Sequence, residues 1–198
     1  MTAKLTESDM PLKLSALAAS LAVAAFAAHA GEPHDPMTSF VDATVRGWLA
    51  TPSVQAAIAA SNAAHAGLSE AQLIKRDAAW RAEIGQTKTP TIDAILQSPV
   101  SGALRAHVAD SGGRITEIIL MDNRGMNVAV SDVTSDFWQG DEAKFQQTFP
   151  RGPAALHVSE VELDESSQIY QAQVSFTVTD AQGAPVGAVT IGLNAEAF

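Results

Sequence analysis

The sequence predicts an α+β fold in which a helical N-terminal half precedes a five-stranded antiparallel sheet. One observation is that apolar residues recur at helical spacing up to a glycine-rich stop at residues 110–113. A second is that β-branched, alternating runs joined by tight turns follow from Arg114 onward. A third is the polar and aromatic segment Thr134–Phe149, which separates the strands by one longer connection. Helices followed by closely connected strands indicate helices packed on a single antiparallel sheet.

Composition indicates one globular domain without a nucleic-acid partner. A chain of 198 residues, 46% hydrophobic and 17% charged, is long enough to bury a core. The formal net charge of −10 repels phosphate backbones, and the 12 Lys and Arg residues are scattered along the chain. The absence of cysteine excludes disulfides, thiolate metal sites and cysteine nucleophiles.

The N-terminus, residues 1–30, has the pattern of a secretory signal peptide. Two lysines and the apolar run Leu14–Ala28 come before a small-x-small cleavage signature, Ala28-His29-Ala30. The run is short and alanine-rich for a membrane span. We therefore predict export to the periplasm with cleavage after Ala30, and retention of the segment as an anchor is the alternative.

The helical part, residues 31–113, divides at its turn and capping signals. Ser69 and Gln72 have the spacing of a capping box, and Trp80 in the helix that follows is expected in the core or in an interface. A break is expected before Pro52, since proline disfavours helix at the preceding residue. The predicted helices are Thr38–Asn62 in one or two pieces, a helix from Ser69 to Gly85, Thr91–Gln97, and a helix from Pro99 to Asp110.

The sheet, residues 114–198, is predicted from alternation and turn residues. Its strands are Ile115–Met121, Met126–Ser131, Ala155–Leu163, Ile169–Thr179 and Pro185–Leu193. Turns are expected at Asp122–Gly125, Asp164–Ser167 and Asp180–Gly183. A hairpin, a connection containing a helix and a three-stranded meander follow one another. One face of such a sheet must be covered or form a pocket, and the connection, residues 132–154, is expected to provide that cover.

These stretches resemble periplasmic PDC sensor domains, the Cache group of PAS-like extracytoplasmic ligand-binding modules. The resemblance is carried by ITEIILMDNRGMNVAVS, by TSDFWQGDEAKF, and by IYQAQVSFTVTD with PVGAVTIGLN. It spans Ile115–Asn194, and Phe137 stands where tyrosine is common in the family. The resemblance implies a PAS-like five-stranded sheet, a small ligand between the sheet and the connection, and a role in signal transduction. Because the sequence ends at Phe198, soon after the last strand, we expect a stand-alone binding subunit or a partner of a separate membrane receptor.

Five residues are candidates for the ligand site: Asp136, Phe137, Trp138, Lys144 and Tyr170. Asp136 can pair with a ligand ammonium or hydroxyl, Trp138 offers an apolar ring with one N–H donor, and Lys144 offers a cation. Each of these has a structural alternative: a structural hydrogen bond for Asp136, core packing for Trp138 and Tyr170, and solvation for Lys144. Asp141 and Glu142 are expected to serve the start of a helix instead.

No arrangement in the sequence indicates catalysis or a metal. The histidines outside the signal peptide show no HxxxH or HxH spacing. The DSGG stretch at 110–113 shares four residues with the surroundings of a trypsin-like serine, but it is explained by a helix stop. We therefore predict a domain that is not an enzyme and uses no cofactor or metal.

The predicted function is binding of a small polar metabolite, an amino acid, an amine or an organic acid. The alternative is a periplasmic interaction subunit that forms a homodimer or docks on a membrane receptor. The apolar stripe Phe40–Leu49 suggests the alternative, because a protruding apolar helix indicates a partner.

Overall fold

The computed structural model describes residue 1, residues 36–164 and residues 168–198. Apart from Met1, the predicted signal peptide lies outside the described residues, as do residues 165–167 of a predicted turn. Within the described ranges six helices precede the sheet: α1 (Pro36–Thr44), α2 (Arg46–Leu49), α3 (Pro52–His65), α4 (Glu70–Glu83), α5 (Pro90–Leu96) and α6 (Pro99–Asp110). No helix of residues 36–164 or 168–198 is long and apolar enough to cross a membrane.

The sheet is antiparallel throughout. Its described strands are β1 (Ile115–Asp122), β2 (Asn127–Val130), β3 (Leu156–Val158), β4 (Glu162–Asp164), β5 (Ile169–Thr179) and β6 (Pro185–Asn194), with the short helix α7 (Ala143–Gln146) between β2 and β3. The strand order is β2-β1-β6-β5-β3, and β4 also pairs with β5. The α+β class, with helices before an antiparallel sheet, is confirmed.

One predicted strand is divided in the structure. Instead of a continuous Ala155–Leu163 there are β3 and β4, both paired with β5. Ser159 lies at the break, where its N–H donates to the Gln173 carbonyl at 2.9 Å and its hydroxyl accepts the Gln173 N–H at 2.8 Å. A serine hydroxyl takes the place of a main-chain carbonyl there, so the regular ladder stops and resumes at β4.

Two helix starts follow their sequence signals. The capping box is confirmed, since the Gln72 side chain accepts the Ser69 N–H at 2.8 Å. Ser98 caps α6 by accepting the Ser101 N–H at 3.1 Å. The prediction that Asp141 stands at a helix start is wrong, because Glu142 occupies the position before α7 and makes no capping bond with its side chain.

The central strands are buried on both faces by different elements. Helices α1, α3 and α6 cover one face, where Ile118, Leu120 and the alternate residues of β5 and β6 lie. Helices α4 and α5 and the connection after β2 cover the other face, over Ile119 and Met121. Trp80 is fully buried there, which confirms its expected place in the core.

The apolar stripe Phe40–Leu49 faces the protein's own core. Val41 and Val45 are fully buried, and Leu49 is buried as well. Burying a side chain of this size contributes about 1.5–3 kcal/mol. The stripe therefore packs within the protein's own core, and it does not protrude as the docking surface that the sequence suggests.

Candidate ligand-binding cleft

Helix α4 holds the segment Thr134–Gln139, which contains three of the five predicted site residues. Asp77 lies buried on the stripe of α4, and its Oδ1 accepts the main-chain N–H groups of Phe137 at 2.8 Å and Trp138 at 3.1 Å. Trp80 donates its indole N–H to the Thr134 carbonyl at 2.7 Å, and its ring stacks on Phe137 with centroids 5.2 Å apart. Helix α4 therefore fixes both the backbone and a ring of this segment. We call the segment, together with Asp77, Trp80 and Arg81 of α4, the clamp.

The Asp136 carboxylate lies in an ion pair within the clamp. Arg81 contacts it and also contacts Asp77 Oδ2 at 2.6 Å. Desolvation lowers the pKa of Arg81, but the charges of Asp77 and Asp136 outweigh that effect, so this pKa lies above its ordinary value. The Ser135 hydroxyl donates to the other Asp136 oxygen at 2.6 Å. A ligand ammonium would have to displace Arg81 to reach this carboxylate.

The indole N–H of Trp138 is bound within the protein. It donates to the Arg124 carbonyl at 2.8 Å, and the ring lies against Gly140. A Cβ built on Gly140 would lie 2.2 Å from Trp138 Nε1, so the close approach requires glycine. The donor that made Trp138 a candidate therefore holds the hairpin between β1 and β2.

Lys144 and Tyr170 lie apart from the clamp and from each other. Lys144 forms an ion pair with Glu142 at 3.0 Å and lines a polar cleft of about 380 Å³ that also includes Gln171 and Gln173. Tyr170 is 50% exposed and pairs with Leu163 across β4 and β5, on the sheet face opposite Gln171. The structure thus does not bring the five predicted residues together.

The polar cleft lies between the connection and the sheet, where the family resemblance implies a ligand. Its glutamines are already bound to other side chains: Gln173 donates to Glu117 Oε1 at 2.8 Å, and Gln171 accepts from the Thr116 hydroxyl at 2.9 Å. Because Lys144 is also paired, a ligand in this cleft would compete with three existing contacts.

A larger cleft, about 620 Å³, lies at the β2 edge of the sheet. It is framed by α3, α4, α5 and α6, by β2, and by Phe137 of the clamp. We call it the helix-framed cleft. Most of its wall is small or apolar: Ala57, Ala60, Ala64, Ala94, Ile95, Pro99, Val100, Val128 and Phe137. Ligand sites commonly combine such a wall with a few placed polar groups.

Asn127 is one of these polar groups. It is 1% exposed, and its amide nitrogen donates to the Thr134 hydroxyl and to the Asp136 carbonyl, both at 2.9 Å. A carbonyl only accepts hydrogen bonds, so the orientation of the Asn127 amide is settled. The remaining atom, Oδ1, is buried and has no hydrogen-bond partner among the described residues. A buried acceptor left unpaired costs about 1–3 kcal/mol.

His65 is the second polar group of the wall, and Asp122 fixes its ring. Asp122 Oδ2 lies 2.6 Å from His65 Nδ1 and accepts the Ser61 hydroxyl at 2.8 Å. Its Oδ1 accepts the N–H groups of Arg124 and Met126 at 2.8 and 3.0 Å. Since the carboxylate is the acceptor, Nδ1 carries the proton, and Nε2 makes no hydrogen bond to a described residue.

The Ser61, His65 and Asp122 arrangement does not have the geometry of a nucleophilic relay. In such a relay the serine donates to the histidine nitrogen that lies away from the carboxylate. Here Ser61 donates to the carboxylate itself and lies 3.3 Å from Nδ1, the same nitrogen that contacts Asp122. In the described part of the chain no group of three or more His, Asp and Glu could hold a metal ion.

No family model matches the chain, and no curated protein matches it. Solved structures that are similar include the sensory domain of the Campylobacter jejuni chemoreceptor Tlp3, with 13% identity, a TM-score of 0.39, and 82% of this chain and 66% of that chain covered. The V. cholerae histidine kinase DctB sensor domain matches with 14% identity, a TM-score of 0.37, and 79% and 57% covered.

A third match is the extracellular domain of the histidine kinase rpHK1S-Z16, with 21% identity, a TM-score of 0.40, and 51% and 42% covered. The chain thus spans 42 to 66% of the length of these three structures. The Tlp3 and DctB structures are sensory or sensor domains, and the third is an extracellular domain. Because these TM-scores lie below 0.5, the fold class rests on the strand order of the sheet itself.

Proposed function

We propose that this chain is an exported sensor domain that binds a small metabolite in the helix-framed cleft and performs no chemistry on it. The observation that carries the proposal is the helix-framed cleft itself, which has a volume of about 620 Å³ and a mostly small and apolar wall. The volume lies within the range of about 300–1,000 Å³ that is usual for small-molecule sites.

The position of the cleft supports a sensing role. Its walls come from four helices and from the edge strand β2, so an occupant contacts the helical half and the sheet together. Phe137 joins the cleft to the clamp, because the backbone of Phe137 is held by Asp77 of α4. A ligand that binds one arrangement of these elements more tightly than another therefore shifts the equilibrium toward the arrangement it prefers.

A thermal-shift screen of the purified protein tests the proposal. Amino acids, amines and organic acids are the first compounds, as the sequence suggests. A ligand at a hundredfold excess over its Kd stabilises the folded state by about 2.7 kcal/mol. Ala94→Phe, on the α5 wall, should abolish the shift by filling the cleft, whereas Ala79→Phe, exposed on α4 outside the cleft, should retain it. A shift that survives Ala94→Phe would contradict this location.

Export is proposed from the N-terminal pattern. If Ala28-His29-Ala30 is a cleavage site, protein recovered from the periplasmic fraction of a bacterial host should begin at Gly31. Intact-mass measurement of that fraction decides the matter. Recovery of the uncleaved chain in the membrane fraction would favour an anchor instead.

An interaction subunit is the second candidate function, and an exposed apolar strip now supports it. Strands β3 to β5 and their link expose five large apolar residues: Leu156, Val158, Val161, Leu163 and Tyr170. β3 is also an edge strand, which is a template for pairing with another chain. A second copy of this chain is the partner we propose. Light scattering over a concentration series should show a dimer that Leu163→Glu dissociates, and a monomer throughout would leave a membrane receptor as the remaining partner.

A further inference from the structure

We propose that the ligand of the helix-framed cleft is an elongated aliphatic molecule, which lies along α3 and keeps its polar end group in solvent. This ligand class rests on the proposed function, which it narrows. It differs from the compact amino acids, amines and organic acids that the sequence suggests, because the cleft is long and its wall is mostly apolar.

The cleft extends along one face of α3. The α3 residues that line it include Ser53, Ala57, Ala60, Ser61 and Ala64. They follow one another at steps of three or four residues, with Ala60 and Ser61 adjacent, so they lie on one side of the helix. From Ser53 to Ala64 the helix rises by about 16 Å, or roughly three turns. A compact ring would fill only part of that length, whereas an extended chain can contact all of it.

The opposite wall is a face of α5 with larger apolar side chains. Thr91, Ala94 and Ile95 line the cleft at positions i, i+3 and i+4 of that helix. The ring of Phe137 also lines it, and this ring is held by stacking on Trp80. The cleft therefore lies between two helix faces, with small residues on the α3 side, and it has the form of a trough.

The trough is open to solvent along its outer side. Ala60, Ala64 and Ala94 line it and are nevertheless exposed. A ligand can therefore lie with its apolar length against the wall while its end group stays hydrated. Burial of apolar surface is then the main source of affinity, and it grows with each methylene that contacts the wall.

The polar side chains of the wall offer little to a compact charged ligand. The Thr91 hydroxyl donates to Glu83 at 2.6 Å, and the Ser61 hydroxyl donates to Asp122 at 2.8 Å. No Asp or Glu is among the described residues that line the cleft, so an ammonium has no counter-charge there. Arg76 is the cation of the lining set, but its side chain is exposed, and exposed ion pairs contribute little.

Three unbranched carboxylates test this ligand class by isothermal titration calorimetry on the full chain: hexanoate, octanoate and dodecanoate. They share one end group and differ only in chain length. Each added methylene should tighten binding about fourfold, so octanoate should bind about fifteenfold more tightly than hexanoate. Equal affinities for hexanoate and octanoate would overturn the proposal, because recognition would then lie in the carboxylate.

Substitutions at the two ends of the α3 face test the length of the bound molecule. Ser53→Phe and Ala64→Phe each fill one end of the trough, at exposed positions of the helix. Dodecanoate, whose extended chain is comparable in length with the α3 face, should bind each variant at least about tenfold more weakly, since about two methylenes lose their contact. Hexanoate occupies only part of the trough, so at least one of the two variants should bind it with unchanged affinity.

Ala59→Phe is the matched control, because Ala59 is exposed on α3 and does not line the cleft. It should leave the affinities for hexanoate and dodecanoate unchanged. Equal weakening of hexanoate and dodecanoate in both end variants would overturn the elongated ligand in favour of a compact one. If either end variant does not fold, the chain-length series on the unmodified protein still decides the ligand class.

The outcomes separate the ligand class from the proposed function. If the three carboxylates do not bind, but a compact metabolite gives a thermal shift that is lost in Ala94→Phe, the aliphatic ligand is overturned and the helix-framed cleft remains the binding site. Failure of the carboxylates and of the whole metabolite screen overturns both. Binding of dodecanoate that Ala94→Phe abolishes, with the expected dependence on chain length, supports both.

Discussion

The clamp and the helix-framed cleft share Phe137 but differ in how far their polar groups are satisfied. In the clamp the carboxylates of Asp77 and Asp136 both pair with Arg81, and Asp77 also accepts two main-chain N–H groups while Asp136 accepts the Ser135 hydroxyl. In the cleft Asn127 keeps one buried oxygen unpaired. A dense run of polar and aromatic residues such as Thr134–Gln139 can therefore stabilise the fold without binding a ligand. The unpaired acceptor comes from a strand with an ordinary sequence.

The largest expected effect is loss of the clamp in Asp77→Ala. The change leaves the buried N–H of Phe137 and the partly buried N–H of Trp138 without an acceptor, so we expect a destabilisation of about 2–4 kcal/mol. Urea denaturation followed by circular dichroism measures it. Asp42→Ala is a matched control, since Asp42 also pairs with an arginine at i+4 at 2.6 Å but in solvent.

The control should cost less than about 1 kcal/mol, as exposed ion pairs do. Similar losses in Asp77→Ala and Asp42→Ala would show that the buried hydrogen bonds of the clamp contribute nothing. If Asp77→Ala also abolishes ligand binding, the clamp and the cleft act as one unit, because Phe137 belongs to both.

A smaller effect is expected from crowding at Trp138 of the clamp, against which Gly140 lies. Gly140→Ala places a Cβ against Trp138 Nε1, which must then move away from the Arg124 carbonyl. Overpacking of this kind costs about 1–3 kcal/mol. Gly47→Ala is the control, because a Cβ there meets nothing within 4 Å, and it should be neutral or slightly stabilising in α2. A neutral Gly140→Ala would mean that Trp138 is not fixed.

Local signals in the sequence predicted the fold well. The capping box at Ser69 and the strand β5 are predicted from neighbours within a few residues, and both are found in the structure. The division of β3 from β4 depends on Ser159 bonding to Gln173, which lies on another strand. Such a bond has no local signature, and that is why a continuous strand was expected.

The candidate site was less predictable, because its bonds join distant parts of the chain. Asp77 reaches residues 60 and 61 positions away, and Asp122 reaches His65 57 positions away. One signal was available: Asp77 stands between Leu73 and Trp80 on an apolar stripe, and a carboxylate there needs a buried partner. Asn127 has no such signal, since its missing partner is visible only when all neighbours are in place.

The smallest expected effect concerns the wall of the cleft and depends on pH. Glu83, at the end of α4, accepts the Thr91 hydroxyl at 2.6 Å and the N–H groups of Thr91 and Ile92 at 2.8 and 3.0 Å. Desolvation raises the pKa of Glu83, but these hydrogen bonds outweigh it, so the pKa lies below its ordinary value of 4.5. The carboxylate thereby fixes the first turn of α5 to α4.

A carboxyl whose pKa is lower in the folded state stabilises the protein above its unfolded pKa and loses that contribution as pH falls through the folded pKa. The stability difference between the unmodified protein and Glu83→Gln should therefore be constant near neutral pH and shrink below about pH 4.5, where the unfolded carboxyl takes up its proton. Urea denaturation at a series of pH values measures it. Glu70→Gln serves as the control, because Glu70 is exposed in the first turn of the same helix. A difference that grows on acidification would mean that protonated Glu83 binds Thr91 better than the carboxylate does, and α5 would then be held to α4 by other contacts.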